Sequence, residues 1–178
     1  DVYPIYAGDD ANFFVTLVPE INAIVKLSVA DKSYDVAIVD GQGVYTVSNL
    51  ANDVYNIQAV FEGDDKYEDS SSDVKQLFVN KVPTNLTISI DKTSMNYIEK
   101  AVVSVVLNQR INAIVTVKVN GNNNTVGLVN GKGSFTLYDL DRANYTINAV
   151  FAGDDRYVEC TSNTLNLTVN GDNISSWV

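Results

Sequence analysis

Histidine is absent from the 178 residues, and cysteine, methionine and tryptophan occur once each. With no histidine, no G-x-S-x-G pattern and no phosphate loop, the chain lacks the nucleophile–base pairs on which most hydrolytic and transfer chemistry depends, so an enzyme is not expected. The single thiol, Cys160, excludes an intrachain disulfide, and no CxxC or Cys/His cluster is present to hold zinc. Cys160 follows Glu159 in what reads as the loop before the last strand; with no base to activate it, it is read as incidental. Basic residues are also scarce, 12 Lys and Arg against 22 Asp and Glu for a net charge of −10. No cationic stripe exists to displace counterions, which excludes nucleic acid as a partner and disfavours anionic membranes. No apolar run is long enough to enter a bilayer, and no signal peptide or anchor is seen, the pattern expected of a fragment of a longer protein.

What is present points to β-structure. Tyr, Val, Thr and Asn are plentiful, and helix-forming residues never gather at helical spacing. Apolar residues make up 46% and charged residues 19%, the balance of a folded chain. The charge is uneven: residues 1–80 hold 14 acidic and 4 basic side chains, net −10, and residues 81–178 hold 8 of each, net 0. The halves therefore offer different surfaces to a partner.

The halves are copies of each other. Shifted by 90 residues, Ile21-Asn-Ala-Ile-Val25 aligns with Ile111-Asn-Ala-Ile-Val115, and residues 21–69 match 111–159 at 21 of 49 positions without a gap. The densest match sets Tyr55, Ile57, Ala59, Val60, Phe61, Gly63, Asp64, Asp65 and Tyr67 on Tyr145, Ile147, Ala149, Val150, Phe151, Gly153, Asp154, Asp155 and Tyr157.

Within each copy apolar residues alternate, the period of a strand with one buried face. Phe13, Val15 and Leu17 alternate, as do Val25, Leu27 and Val29, and the pattern returns at Val103, Val105 and Leu107 and at Val115, Val117 and Val119. Asp40-Gly41-Gln42-Gly43 and Asn130-Gly131-Lys132-Gly133 supply the positive φ of tight turns. About seven strands per copy predict an all-β fold of two tandem immunoglobulin-like antiparallel β-sandwiches. Leu50 precedes Tyr55, and Leu140 precedes Tyr145, by five residues, the spacing of a tyrosine corner in which the hydroxyl ties back to nearby backbone. The expected domains are 1–80, lacking its first strand, and 81–170, followed by a tail at 171–178. The counterpart of Leu86-Thr-Ile-Ser-Ile90 would precede Asp1. Pro83 restricts the short connection Asn80–Thr84 toward extended geometry.

The segments Ala7-Gly-Asp-Asp-Ala-Asn-Phe-Phe-Val-Thr-Leu17, Val39-Asp-Gly-Gln-Gly43, the Leu50–Tyr55 spacing and Phe61-Glu-Gly-Asp-Asp-Lys-Tyr67 resemble the Ig-like repeats of large bacterial and archaeal surface proteins, notably adhesin-like proteins of methanogenic archaea. The second copy departs at Asn96-Tyr-Ile-Glu-Lys100, which lacks the glycine and paired aspartates, so a role for Asp9 and Asp10 does not carry over. The resemblance implies a non-enzymatic module of an extracellular, cell-surface protein that mediates or extends attachment. Its partners would be neighbouring repeats of the same parent chain and a surface protein or glycan. The rivals are a passive stalk or cell-wall spacer and a carbohydrate-binding accessory module of a secreted enzyme.

Four further features carry specific expectations. The Gly-Asp-Asp turns at Gly63 and Gly153 admit two readings: a loop whose aspartates satisfy free amides, or a calcium site for which Glu62, Asp64, Asp65, Glu68 and Asp69 are the ligands. Five N-glycosylation triplets, at Asn85, Asn123, Asn144, Asn166 and Asn173, fit a secreted protein with modified outer faces. Lys26 and Lys118 are the lysines an interstrand amide cross-link would use, but alternation points both outward. Tyr34, Tyr138 and Trp177 fall outside the inward pattern and are the exposed aromatics a partner would meet.

Overall fold

The computed structural model describes residues 4–178. Among these residues there is no helix, and the chain divides into two compact units, Asp1–Val82 and Pro83–Val178. Unit 1 contains β1 (Ile5–Tyr6), β2 (Ala11–Thr16), β3 (Ala23–Val29), β4 (Lys32–Ile38), β5 (Gln42–Val47), β6 (Asp53–Phe61), β7 (Ser70–Ser71) and β8 (Lys75–Asn80). Unit 2 contains β9 (Leu86–Ile90), β10 (Ser94–Asn96), β11 (Ala101–Leu107), β12 (Ala113–Val119), β13 (Asn122–Leu128), β14 (Lys132–Leu137), β15 (Ala143–Phe151), β16 (Cys160–Thr161) and β17 (Leu165–Asn170).

Each unit is a sandwich of two sheets. In unit 1 the larger sheet runs β1-β8-β6-β3-β4, with β7 on β6, and faces a ribbon of β2 and β5. Unit 2 repeats the plan as β10-β17-β15-β12-β13, with β16 on β15, against β14-β11-β9. The short β1 and β10 run parallel to β8 and β17; the other pairs are antiparallel. This is the immunoglobulin-like architecture expected from the period-2 pattern, since alternating side chains bury one face of each sheet against the other.

Two separate cores result. Val15, Leu17, Val25, Leu27, Val36, Ile38 and Val79 fill the first; Val103, Val105, Val115, Val117, Ile147, Leu167 and Val169 fill the second. No charged or polar residue is buried among the described residues. With no disulfide to restrict the unfolded chain, burial of these apolar faces is the dominant stabilising term. Residues 171–178 form no strand and are exposed.

The turns explain why the copies fold alike. Asp40 and Gly41 hold φ of 49° and 76°, and Asn130 and Gly131 hold 53° and 79°, the two positive values of a type I′ turn. A side chain at Gly41 would place its Cβ 2.7 Å from the Leu17 carbonyl oxygen, and one at Gly131 would sit 2.5 Å from that of Gln109, so both turns are restricted by packing as well as by φ.

One turn is less well matched. Asn120 sits at φ 47°, receives the Thr146 amide on Oδ1 at 2.8 Å and donates Nδ2 to the Asn144 carbonyl at 3.2 Å. Its counterpart Ala30 adopts φ 55° with no side chain to offset the left-handed conformation. Ala30→Asn is expected to stabilise unit 1 by about 1–2 kcal/mol, through relief of that strain and one or two recovered hydrogen bonds. Calorimetry checks this as a rise of several degrees in the transition of unit 1.

Candidate functional site

Tyr55 lies near the start of β6 and donates its hydroxyl to the Ala51 carbonyl at 3.0 Å; Tyr145 does the same to Asp141 at 2.8 Å. Both are tyrosine corners, with rings packed on their cores. Burial, and then the charge of Asp53, raises the Tyr55 phenol above its ordinary value of 10.0, with the bond to Ala51 opposing. The phenol therefore stays a donor at neutral pH. Tyr55→Phe and Tyr145→Phe are each expected to lower stability by about 1 kcal/mol, the net worth of one hydrogen bond, with little change in fold; denaturant midpoints at constant slope check both.

The Gly-Asp-Asp loops are built identically. Gly63 and Gly153 take φ of 78° and 71°, and a Cβ at either would fall within 3 Å of the backbone nitrogen six residues on, at Asp69 or Glu159. Asp64 Oδ1 accepts the amides of Lys66 and Tyr67, both at 2.8 Å, and Asp154 Oδ1 accepts those of Arg156 and Tyr157 at the same distances. Each aspartate thus ties its own turn and sets a half-buried tyrosine against the core, while Lys66 and Arg156 lie over those rings at 5.5 and 5.6 Å. This geometry is that of the first reading, aspartates satisfying free amides; Glu62, Asp64, Asp65, Glu68 and Asp69 are all exposed, and among the described residues no three carboxylates come together to hold an ion. Crowding in sequence does not become convergence in space, because Asp64 is turned into its own loop.

Two clefts occupy equivalent positions beside the tyrosine corners. In unit 1 the cleft of about 260 Å³ is lined by Val29, Lys32, Tyr34, Val47, Leu50 and Tyr55. Its counterpart in unit 2, lined by Val119, Asn122, Asn124, Phe135, Leu140 and Tyr145, reaches about 390 Å³. The linings differ at several positions, Tyr34 and its counterpart Asn124 among them. Tyr34 stacks on Tyr45 with ring centroids 4.8 Å apart and packs against the first core, whereas Asn124 stands in its place in unit 2. Tyr34 is therefore not an exposed aromatic; it continues the inward set Tyr34, Val36, Ile38 of β4, an alternation that the sequence displays. Tyr138 and Trp177 are exposed as expected.

The outward faces of the larger sheets differ most. On unit 2, Asn144 of β15 is paired with Thr168 of β17, and Thr146 with Asn166, so two glycosylation triplets lie side by side. Thr168 donates its hydroxyl to Asn144 Oδ1 at 3.0 Å. Further across, Asn123 is paired with Lys118 and Thr125 with Thr116. Amides and hydroxyls share this face with exposed Ile114 and with Lys118, and all five triplet asparagines, Asn85 and Asn173 included, are exposed. On unit 1 the pair equivalent to Asn144–Thr168 is Val54–Phe78, both exposed. Phe14, 83% exposed, lies opposite exposed Val44 on the second sheet of unit 1.

Lys26 points outward, with Nζ 3.5 Å from Asp35, and Lys118 lies half-buried on the same outer face of its own unit. Cys160 is not in a loop: it begins the short β16, paired with Phe151, and is a free, half-buried thiol.

No protein-family model matches the chain, and no curated protein does. Among solved structures it is similar to the fibronectin(III)-like modules of Clostridium thermocellum CbhA, with 13% identity over 98% of this chain and 94% of that one and a TM-score of 0.39. It is also similar to the D0-D1 domain of intimin, at 13% identity over 93% of each chain with a TM-score of 0.38. A third likeness is to the amphioxus IgVJ-C2 molecule, at 13% over 93% and 99% with a TM-score of 0.41. At identities this low nothing those proteins do transfers to this chain, and the resemblance to methanogen adhesin-like proteins gains no support from sequence relatives.

One structural feature escaped the sequence. Asn163, just before β17, accepts the Ile88 amide on Oδ1 and donates Nδ2 to the Ile88 carbonyl, both at 2.9 Å. This clamp holds the middle of β9 from 75 residues away, and no local pattern marks it.

Proposed function

We propose that the chain is a non-enzymatic, extracellular pair of Ig-like repeats from a cell-surface adhesin-like protein, mediating or extending attachment to another surface. The observation that carries this reading is that the two copies keep one core and one topology while their outsides diverge. The acidic unit carries exposed Val54 and Phe78 where the neutral unit carries Asn144 and Thr168. A scaffold held constant under changing surfaces is what serial display of contact faces requires, and tethered copies make weak contacts sufficient by raising effective concentration. The exposed asparagine triplets support an extracellular address. Exposed Phe14, Val44, Val54 and Phe78 give unit 1 apolar area, two of them phenyl rings, that a partner could cover.

The passive-spacer reading is favoured by one observation, the amide and hydroxyl pairs Asn144–Thr168 and Thr146–Asn166 on the outer face of unit 2 in place of an aromatic. The surface address is tested by labelling intact cells of the source organism with antibody raised to this chain. Labelling that brief protease treatment removes is the expected result; antigen reached only after lysis overturns the proposal.

A further inference from the structure

The clefts beside the tyrosine corners differ in chemistry as well as in size. In unit 1 the wall carries two charged residues, Asp31 and Lys32, and the Tyr34 ring lies on Tyr45 with centroids 4.8 Å apart. At the matching positions unit 2 has Gly121, Asn122 and Asn124, and where unit 1 has Ser48 it has Tyr138. The unit 2 cleft, about 390 Å³, has no charged residue in its wall.

Three aromatic rings and two amides line it. Phe135, Leu140 and Tyr145 are half-buried and packed against the second core, which fixes them. Tyr138 is 58% exposed, with Lys100 over its ring at 5.9 Å. The Tyr145 hydroxyl gives its proton to the Asp141 carbonyl, so its oxygen is still able to accept. Among the described residues Asn122 makes no side-chain hydrogen bond, and Asn124 makes only two long ones, from Nδ2 to the Val117 and Asn122 carbonyls at 3.4 and 3.3 Å. Both amides therefore keep bonding capacity for a ligand.

A carboxamide presents an acceptor and two donors in one plane, which suits two neighbouring hydroxyls on a ring. Aromatic faces suit the other surface of a sugar, its apolar C–H side. A charged ligand would find no counter-charge in this wall, and a wholly apolar one would leave both amides without partners. The volume lies within the range of small-molecule clefts, about 300–1,000 Å³.

We propose that the unit 2 cleft is a saccharide-binding site that takes one neutral hexose or N-acetylhexosamine unit at the end of a glycan. The C–H face of the sugar lies on Tyr138, Asn122 and Asn124 bond its hydroxyls, and Phe135, Leu140 and Tyr145 exclude water. The inference rests on the attachment reading and names a ligand class for it.

The test is titration of the whole chain, made in a host that adds no N-glycans so that only added sugar can fill the cleft. The probes are neutral oligosaccharides ending in glucose, galactose, mannose or N-acetylglucosamine, with sialylated and sulfated ones for comparison, read by residue-resolved NMR. Saturable shifts of the Asn122 and Asn124 side-chain amides with at least one neutral probe are the expected result. Tyr138→Ala, at an exposed position, weakens that binding by at least about tenfold. Asn124→Tyr gives unit 2 the ring that unit 1 carries at Tyr34 and abolishes binding with the fold retained, whereas Tyr34→Ala in unit 1 leaves binding unchanged. The proposal is overturned by any of three results: no saturable shift with a neutral probe up to about 10 mM, shifts that persist in both Tyr138→Ala and Asn124→Tyr, or a preference for the charged probes. In each of these cases, binding of the bead-bound chain to cells that persists keeps the attachment reading and removes only the sugar site.

Discussion

Ile147→Ala is expected to remove about 3–5 kcal/mol from unit 2, because a side chain with no exposed surface leaves a cavity that a sandwich held on both faces cannot collapse. Ile147 lies opposite Val119 on β12 and Leu165 on β17, so the loss falls on the centre of the larger sheet. Against a total of about 5–15 kcal/mol for a domain, this is enough to leave unit 2 largely unfolded at modest denaturant. The matched change Ile57→Ala in unit 1 costs less, since Ile57 is only half-buried. Urea titration followed by residue-resolved amide exchange separates the two units. Equal losses at the two positions would contradict the view that β9 completes the second core.

The second large effect is expected at Asn163. Asn163→Ala strips the Ile88 amide and carbonyl of their side-chain partners in a part-buried setting, at about 1–3 kcal/mol for each group left unsatisfied. The sum, roughly 2–6 kcal/mol, should appear as early exchange of the β9 amides before the rest of unit 2 opens. Asn163→Asp keeps the acceptor and loses the donor, and an intermediate loss is expected. A uniform loss of protection over unit 2, with no preference for β9, would show that Asn163 acts through general packing.

These two residues mark how far the sequence could be read. Ile147 was visible, because Tyr145, Ile147, Ala149 and Phe151 alternate with polar neighbours and recur 90 residues from Tyr55, Ile57, Ala59 and Phe61. Period-2 alternation is a local consequence of strand geometry and survives in sequence. The Asp-Gly and Asn-Gly turns were legible for the same reason, since their φ values belong to the two residues themselves. Asn163 was not legible, because its partner is remote and an asparagine in a loop looks like any other. The acidic loop left two readings open in sequence, and the fold uses Asp64 as the first of them has it, on two amides of its own turn. Tyr34 was misplaced because polar Ser33 and Asp35 flank it, although its spacing to Val36 and Ile38 marks it as inward. The different outsides of the two units were present in composition as a charge imbalance. The exchange of Val54–Phe78 for Asn144–Thr168 becomes a difference in surface only once strand register is known.

The attachment reading is tested most directly by binding the fluorescent chain, clustered on beads, to cells and to an immobilised glycan panel, with an Ig-like domain of matched charge as control. Saturable binding above the control, reduced when Phe14 and Phe78 are changed to asparagine, is the result the account predicts. Binding no greater than the control at every bead density would contradict it and leave the chain a spacer.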